Sequence, residues 1–138
     1  MLVIGAGAIG MEFAYFYGSF GTEVTVVEVL ENVLPIEDQE ISKTVEKSFS
    51  KNGIQVRTKT MVESLPRQGS TVSALLKTGD KVEQWTGDYC LVAIGVQGNV
   101  EDLGLEKVGI VPERSFIKVN KYYQTTAAGI YAIGDIIG

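Results

Sequence analysis

The chain has 138 residues, of which 45% are hydrophobic and 21% charged, and a formal net charge of −5. This is the composition of one folded domain rather than of a disordered segment. The acidic balance argues against nucleic-acid binding, which requires an excess of Lys and Arg. The chain has a single cysteine, Cys90, and no histidine, which excludes an internal disulfide, a Cys/His zinc site and a Ser-His-Asp triad.

The first half of the chain alternates strand and helix patterns. Three short runs predict strands of one parallel sheet, at residues 1–4, 24–29 and 54–58, and the first two are apolar enough to be expected as buried strands. Two helices are predicted between them, over residues 11–20 and from the acidic pair Asp38 and Glu40 to about Asn52. In the first helix, aromatic residues recur at helical spacing. A β-α-β-α-β order predicts a Rossmann-like, doubly wound parallel sheet.

A different pattern follows from residue 61 to residue 84. Residues 71–77 and 81–85 alternate polar and apolar side chains around Thr78-Gly79-Asp80, a hairpin turn signal. We therefore expect an antiparallel β meander inserted in the α/β fold. Residues 89–94 predict the last buried strand of the parallel sheet, which ends at Gly95.

Residues 96–138 carry weaker patterns. Residues 116–119 and 130–133 are candidate strands, and the chain reaches Gly138 where another helix could start. The apolar side chains of this part could form their own core, remain disordered or drive self-association, and we expect at least weak oligomerisation. The chain starts directly on a strand, which we interpret as a segment of a longer polypeptide. No signal peptide or membrane span is predicted, so the cytoplasm is expected, or the mitochondrial matrix in a eukaryote.

The turn after the first strand has the pattern G-x-G-x-x-G, with Gly5, Gly7 and Gly10 at its fixed positions. Gly5 permits a tight turn, Gly7 leaves room for a pyrophosphate, and Gly10 allows close packing of the helix. The N–H groups of Ala8 and Ile9 would face the phosphates at the helix N-terminus. The alternative is a structural glycine turn without a ligand, but the strand before it and the helix after it favour a dinucleotide site.

Glu28 ends the second strand at the distance from the glycines at which dinucleotide-binding proteins carry an acid. Its carboxylate could accept both ribose hydroxyls of adenosine and would repel a 2′-phosphate. Val29 and the residues that follow it, through Val33, include no Arg or Lys. NAD is therefore expected over NADP. The alternative is an acid at a strand end that faces solvent.

Several segments together resemble the flavin disulfide oxidoreductases, and dihydrolipoamide dehydrogenases in particular. The matching motifs cover nearly the whole chain, in order: residues 5–13, Val33-Leu34-Pro35, Ala93-Ile94-Gly95, Leu103-Gly104-Leu105-Glu106, Thr125-Thr126 and residues 129–135. One departure is the sequence Gly95-Val96-Gln97-Gly98-Asn99, where many members of the family carry an arginine after the glycine. The resemblance therefore implies no cofactor contact by an arginine at this position.

The resemblance implies a division of labour within a longer enzyme. Residues 1–98 would be the NAD-binding domain, and residues 99–138 a connecting segment that returns to an FAD-binding domain. Other domains would supply a redox-active cysteine pair and a His–Glu base at a homodimer interface. NAD+ would take a hydride from FAD, and the enzyme would serve 2-oxoacid dehydrogenase complexes. The segment alone would be catalytically incomplete, with no catalytic residue of its own and Cys90 as a small buried residue.

Three further residues receive roles from the resemblance. Glu12 would contact the nicotinamide end of NAD, or would instead be an acid placed against the helix dipole. Asp135 would bind the FAD ribitol in the longer enzyme, or would instead cap a helix. Gly95 would line the dinucleotide cleft, since ligands lie beyond the carboxyl ends of the strands.

Two other functions remain open. The chain could belong to a different disulfide reductase, although many of these prefer NADPH and Glu28 disfavours that coenzyme. It could also be a non-catalytic module that senses NAD(H). Neither nucleic acid nor a membrane is an expected partner.

Overall fold

The computed structural model describes residues Met1–Gly138. Contacts divide the chain into two compact units, Met1–Gly95 and Val96–Gly138. The assignment of residues 1–98 and 99–138 to particular domains of a longer enzyme stays a prediction.

The first unit contains two α-helices and eight strands. The helices are α1 (Ala8–Ser19) and α2 (Gln39–Lys51). The strands are β1 (Leu2–Ile4), β2 (Thr25–Val27), β3 (Gln55–Arg57), β4 (Thr60–Ser64), β5 (Arg67–Gln68), β6 (Thr71–Thr78), β7 (Lys81–Gly87) and β8 (Cys90–Val92). A parallel sheet has the order β3-β2-β1-β8, and β4, β5 and β7 all pair antiparallel with β6. The predicted Rossmann-like fold with an inserted meander is confirmed.

Strands β1 and β2 lie in the middle of the parallel sheet and are almost entirely buried, because both faces of the sheet are covered there. Val3 and Val26 point to the helical side, where they pack in one cluster with Met11 and Ala14 of α1. The intervening Leu2 and Val27 join a second cluster on the side of the meander, with Ala74, Leu76 and Trp85. The sheet therefore lies between the two helices and the meander.

Helix α1 packs on the sheet through its small residues. The side chains that it buries belong to Met11 and Ala14, beside Gly10. The aromatic residues of α1 and its C-cap face outward. Phe13, Phe16, Tyr17 and Phe20 contact one another, whereas Tyr15 contacts Phe49 of α2. The aromatic spacing thus predicted the helix. The face that packs on the sheet is a different one, which contains Gly10, Met11 and Ala14.

Helix α2 begins with the predicted acidic turn. Asp38 is its N-cap and accepts a hydrogen bond from the backbone N–H of Glu40 at 2.8 Å. Val45 and Phe49 pack against the core, whereas Ile41 is 52% exposed. Neither α-helix has the length and apolar character that a membrane-spanning segment requires.

The expectation that the last parallel strand is buried is wrong. Strand β8 pairs only with β1 and so forms an edge of the sheet. Val92 and Ile94 are 56% and 75% exposed, because no further strand covers them in this chain. Cys90, at the start of β8, is half-buried and packs against the cluster on the meander side.

The second unit has a small core of its own, formed by Ile110, Ile117 and Ala132. The strands predicted at 116–119 and 130–133 are absent, and the only pairings there are isolated bridges, Glu113 with Phe116 and Gln124 with Tyr131. The unit also contains two short 3-10 helices, Leu105–Val108 and Gly134–Ile137. The N–H of Ile117 donates to the carbonyl of Ile136 in the second of these helices, and the N–H of Ile130 donates to the carbonyl of Ala127 in a turn. No continuous ladder forms, so the two strand candidates are wrong.

Candidate nucleotide site at the carboxyl edge of the parallel sheet

Three predicted site residues follow three neighbouring parallel strands. Gly5 comes directly after β1, Glu28 directly after β2, and Gly95 closely after β8. The strands pair in register, Ile4 with both Val27 and Val92, so their carboxyl ends meet at one edge. The chain leaves β1 for β2 on one side and returns as β8 on the other. Such a switch point is where open α/β sheets bind nucleotides.

The first turn of the glycine loop is fixed by its contacts with the sheet. Gly5 has a φ of 100°, and a Cβ there would overlap the carbonyl oxygen of Ala93. Its N–H donates to the Val27 carbonyl at 2.9 Å, and the next residue, Ala6, accepts from the N–H of Leu34 at 2.7 Å. A side chain at Gly5 is therefore excluded by both conformation and space.

Gly7 and Gly10 differ in what surrounds them. A Cβ on Gly7 would meet nothing within 4 Å, so the space in front of this residue is open. A Cβ on Gly10 would overlap the carbonyl oxygen of Gly5, so Gly10 allows the helix to start against the loop. Helix α1 has Gly7 as its N-cap, without a side-chain cap and without an acid in its first turn. Its first N–H groups are therefore available to an anion.

The carboxylate of Glu28 connects the strand end to the glycine loop. The residue is only 7% exposed. One carboxylate oxygen accepts from the N–H of Ala6 at 2.8 Å, and the other accepts from the N–H of Leu30 at 2.9 Å. A carboxylate offers about four acceptor positions, so about two remain for further donors such as hydroxyls. The alternative of a strand-end acid that simply faces solvent does not fit this burial.

The sequence of this chain matches a known protein family over its whole length. The family model described as pyridine nucleotide-disulphide oxidoreductase matches residues 1–138. The chain belongs to this family. A dihydrolipoyl dehydrogenase of Rhizobium etli is 44% identical over 139 aligned residues, which cover 100% of this chain and 29% of that protein. The resemblance drawn from the motifs is thereby confirmed.

Two solved structures of pyridine nucleotide enzymes share the fold. One is an NAD-dependent persulfide reductase from A. fulgidus, with a TM-score of 0.82, 36% identity, and coverage of 99% of this chain and 25% of that chain. The other is an engineered water-forming NADPH oxidase bound to NADPH, with a TM-score of 0.81, 26% identity, and coverage of 99% and 29%. The chain spans about 30% of the length of the curated relatives it matches.

A lysine that the sequence did not predict as a site residue lies beside the acidic strand end. The N–H of Lys59 donates to the carbonyl of Leu30 at 2.9 Å. Its ammonium pairs with Glu31 at 2.6 Å, and this hydrogen bond and charge hold the pKa of the Glu31 carboxyl below its ordinary value. Lys59 follows β3 rather than β2, so it is distant in sequence from Glu28. The parallel pairing of β2 with β3 was the signal that could have found Lys59.

The remaining predicted residues have less defined surroundings. Ala8 and Ile9 are exposed in the first turn of α1, and Val29 is 61% exposed beside Glu28. Glu12 is exposed and lies beyond the first helical turn, which disfavours the helix-dipole alternative. Gly95 has a φ of 150° and open space around it.

Asp135 lies in the second unit, inside the 3-10 helix Gly134–Ile137. The N-cap of that helix is Ile133 and no side chain caps it. Asp135 does not cap this short helix, and both roles considered for it, in FAD binding or as the cap of a following helix, stay predictions. Its carboxylate is exposed.

Proposed function

We propose that the carboxyl edge of the parallel sheet binds NAD(H). The diphosphate would lie in the open space before Gly7, against the N–H groups of Ala8, Ile9 and Gly10, and Glu28 would accept hydroxyls of the adenosine ribose. The observation that carries this proposal is the pair of hydrogen bonds to Glu28. They fix a buried carboxylate next to the glycine loop and leave acceptor positions unused.

The same carboxylate favours NAD over NADP. A 2′-phosphate carries a charge of roughly −1.5 to −2 and would approach a buried acid that has no adjacent cation free of a partner. The engineered NADPH oxidase supports this preference. Its five substitutions replace a glycine, an acid, the two residues after the acid and a proline, and one of them introduces an arginine directly after the acid. Their spacing equals that of Gly10, Glu28, Val29, Leu30 and Pro35 in this chain.

We further propose that the chain acts within a longer dihydrolipoyl dehydrogenase. NAD+ bound there supplies the hydride acceptor of the reaction, and FAD supplies the donor. This chain would hold and orient the coenzyme, with Glu12 and Gly95 toward the nicotinamide end. Its one cysteine and lack of histidine leave the thiol and proton chemistry to other domains, so residues 1–138 alone would not oxidise dihydrolipoamide. A homodimer, contacts with 2-oxoacid dehydrogenase complexes and an FAD contact of Asp135 belong to this proposal.

A second candidate is a different NAD-dependent reductase of the same family. The NAD-dependent persulfide reductase of A. fulgidus shares 36% identity over 99% of this chain, so the coenzyme-binding part does not distinguish the sulfur substrates. Both candidates require the same NAD(H) site. They differ in residues outside this chain.

The coenzyme proposal is tested by titrating the chain with NADH and with NADPH while the coenzyme fluorescence is followed. Wild type should bind NADH more tightly than NADPH. Glu28→Ala should weaken NADH binding at least tenfold, since two acceptor positions for ribose hydroxyls are lost. It should also reduce the ratio of NADH affinity to NADPH affinity, because the charge that repels the 2′-phosphate is removed. Glu63→Ala, an acid on β4, is the matched control and should change neither affinity. Equal affinities of Glu28→Ala and wild type for both coenzymes would refute the assignment.

A further inference from the structure

We propose that Glu31 and Lys59 form a second determinant of coenzyme choice, in which Glu31 holds the Lys59 ammonium in an ion pair and so keeps it from a 2′-phosphate. The inference rests on the proposed NAD(H) site. Glu28 would disfavour NADP directly. Glu31 would disfavour NADP indirectly, by pairing with the ammonium of Lys59.

The backbone places Lys59 at the strand end that carries Glu28. Beyond the paired strands β2 and β3, the N–H of Glu28 donates to the Arg57 carbonyl at 2.9 Å, and the N–H of Thr60 donates to the Glu28 carbonyl at 2.8 Å. Between these two bonds lies Lys59, whose own N–H donates to the carbonyl of Leu30 at 2.9 Å. The N–H of Leu30 in turn donates to the Glu28 carboxylate. A continuous set of hydrogen bonds thus joins Lys59 to the proposed ribose-binding acid.

The conformation of Lys59 is unusual for a residue with a side chain. Its φ is 50°, in the left-handed region that favours glycine. A non-glycine residue keeps such a conformation only where its surroundings fix it. Here the bond to Leu30 fixes the backbone, and the 2.6 Å ion pair with Glu31 fixes the ammonium.

The charges around this point decide the expected effect. The nearby Arg57 is engaged by Glu83 of β7, which leaves Lys59 as the cation next to Glu28. With Glu31 charged, the three groups Glu28, Glu31 and Lys59 sum to a negative charge, which repels a 2′-phosphate. Without the Glu31 charge, Lys59 is released and the repulsion falls. Both side chains of the pair are largely exposed, at 62% and 70%, and such pairs contribute little to folding. A substitution at Glu31 therefore reports on binding rather than on unfolding.

The experiment measures the ratio of NADPH to NADH affinity for the 138-residue chain by competitive displacement of NADH. We expect Glu31→Gln to raise this ratio about three- to fivefold, toward the upper end of the free energy measured for exposed charge pairs. The increase should shrink in high salt, because exposed charges are screened. Glu63→Gln is the matched control, since it removes a carboxylate that pairs with Lys77 at 3.3 Å on the meander, and it should leave the ratio unchanged.

The double variant Glu31→Gln with Lys59→Met tests whether Lys59 is the cation that attracts the 2′-phosphate when Glu31 is neutral. The ratio should return to within twofold of the wild-type value. A raised ratio that persists in the double variant would overturn the role of Lys59. An unchanged ratio in Glu31→Gln, with NADH still bound, would overturn the inference while leaving the NAD(H) site intact. A wild-type chain that binds no NADH would overturn both proposals together.

Discussion

The carboxylate of Glu28 accepts a hydrogen bond from the N–H of Ala6, a residue 22 positions earlier in the chain, at 2.8 Å. This bond joins the end of β2 to the glycine loop after β1. The acid and the loop are therefore held together without a bound nucleotide, as the proposed site requires. Preorganisation of this kind lowers the conformational cost of binding.

The bond between Glu28 and Ala6 should also stabilise the fold. Ala6 is fully buried, so Glu28→Ala leaves its N–H without an acceptor and should cost about 1–3 kcal/mol of unfolding free energy. Glu28→Gln retains one carbonyl oxygen and should cost less. Urea denaturation without nucleotide checks both values. Equal stability of Glu28→Ala and wild type would show that the bond contributes nothing to folding.

Alanine substitutions at Gly7 and Gly5 should affect NADH affinity and folding stability differently. Gly7→Ala places a Cβ in open space at a φ of −70°, so stability should change by less than about 1 kcal/mol. The same Cβ would occupy the space proposed for the diphosphate, so NADH affinity should fall at least about tenfold, by the loss of close contacts worth about 1.4 kcal/mol.

Gly5→Ala is the contrasting variant, because its Cβ would overlap the carbonyl oxygen of Ala93 at a φ of 100°. It should destabilise the fold by about 1–3 kcal/mol. Thermal unfolding and NADH titration of the two variants make the comparison. Undiminished NADH binding by Gly7→Ala would contradict the placement of the diphosphate.

The ion pair between Glu31 and Lys59 should respond to acid. The pKa of Glu31 is held below its ordinary value of 4.5 by Lys59. Because the pKa of the folded state is lowered, the stabilising contribution is present above pH 4.5 and is lost as the pH falls through the folded value. Carboxyl-carbon NMR should show the lowered pKa in wild type and its return toward 4.5 in Lys59→Ala. A Glu31 pKa that is the same in both proteins would rule out the pair in solution.

The thiol of Cys90 should react slowly. Desolvation by burial raises its pKa above the ordinary value of 9.0, so less thiolate is present at pH 8 than in a free cysteine. Alkylation by iodoacetamide should be at least about tenfold slower in the folded chain than in urea, since both access and thiolate fraction are reduced. Identical rates in the two conditions would show that β8 does not shield Cys90.

The sequence was most informative where local chemistry and periodicity agree. Apolar runs predicted β1 and β2 as buried strands, and Thr78-Gly79-Asp80 predicted the hairpin between β6 and β7. The glycine spacing and Glu28 predicted which residues meet at one edge, because parallel strands bring their carboxyl ends together.

The features that were missed depend on neighbours that are distant in the chain. The exposure of β8 follows from its edge position in the sheet order, which its own apolar residues do not encode. The strands expected at 116–119 and 130–133 lack partners for a ladder. Lys59 approaches the strand end only through the pairing of β2 with β3, so a search along the residues after Glu28 did not reach it.

The most direct test of the NAD(H) site is a backbone amide NMR titration of the 138-residue chain with NADH. The proposed site predicts that the largest shift changes fall on Gly7, Ala8, Ile9 and Gly10, with smaller changes at Leu30, whose N–H donates to Glu28. Saturating NADH that leaves these five amides unmoved would contradict the account.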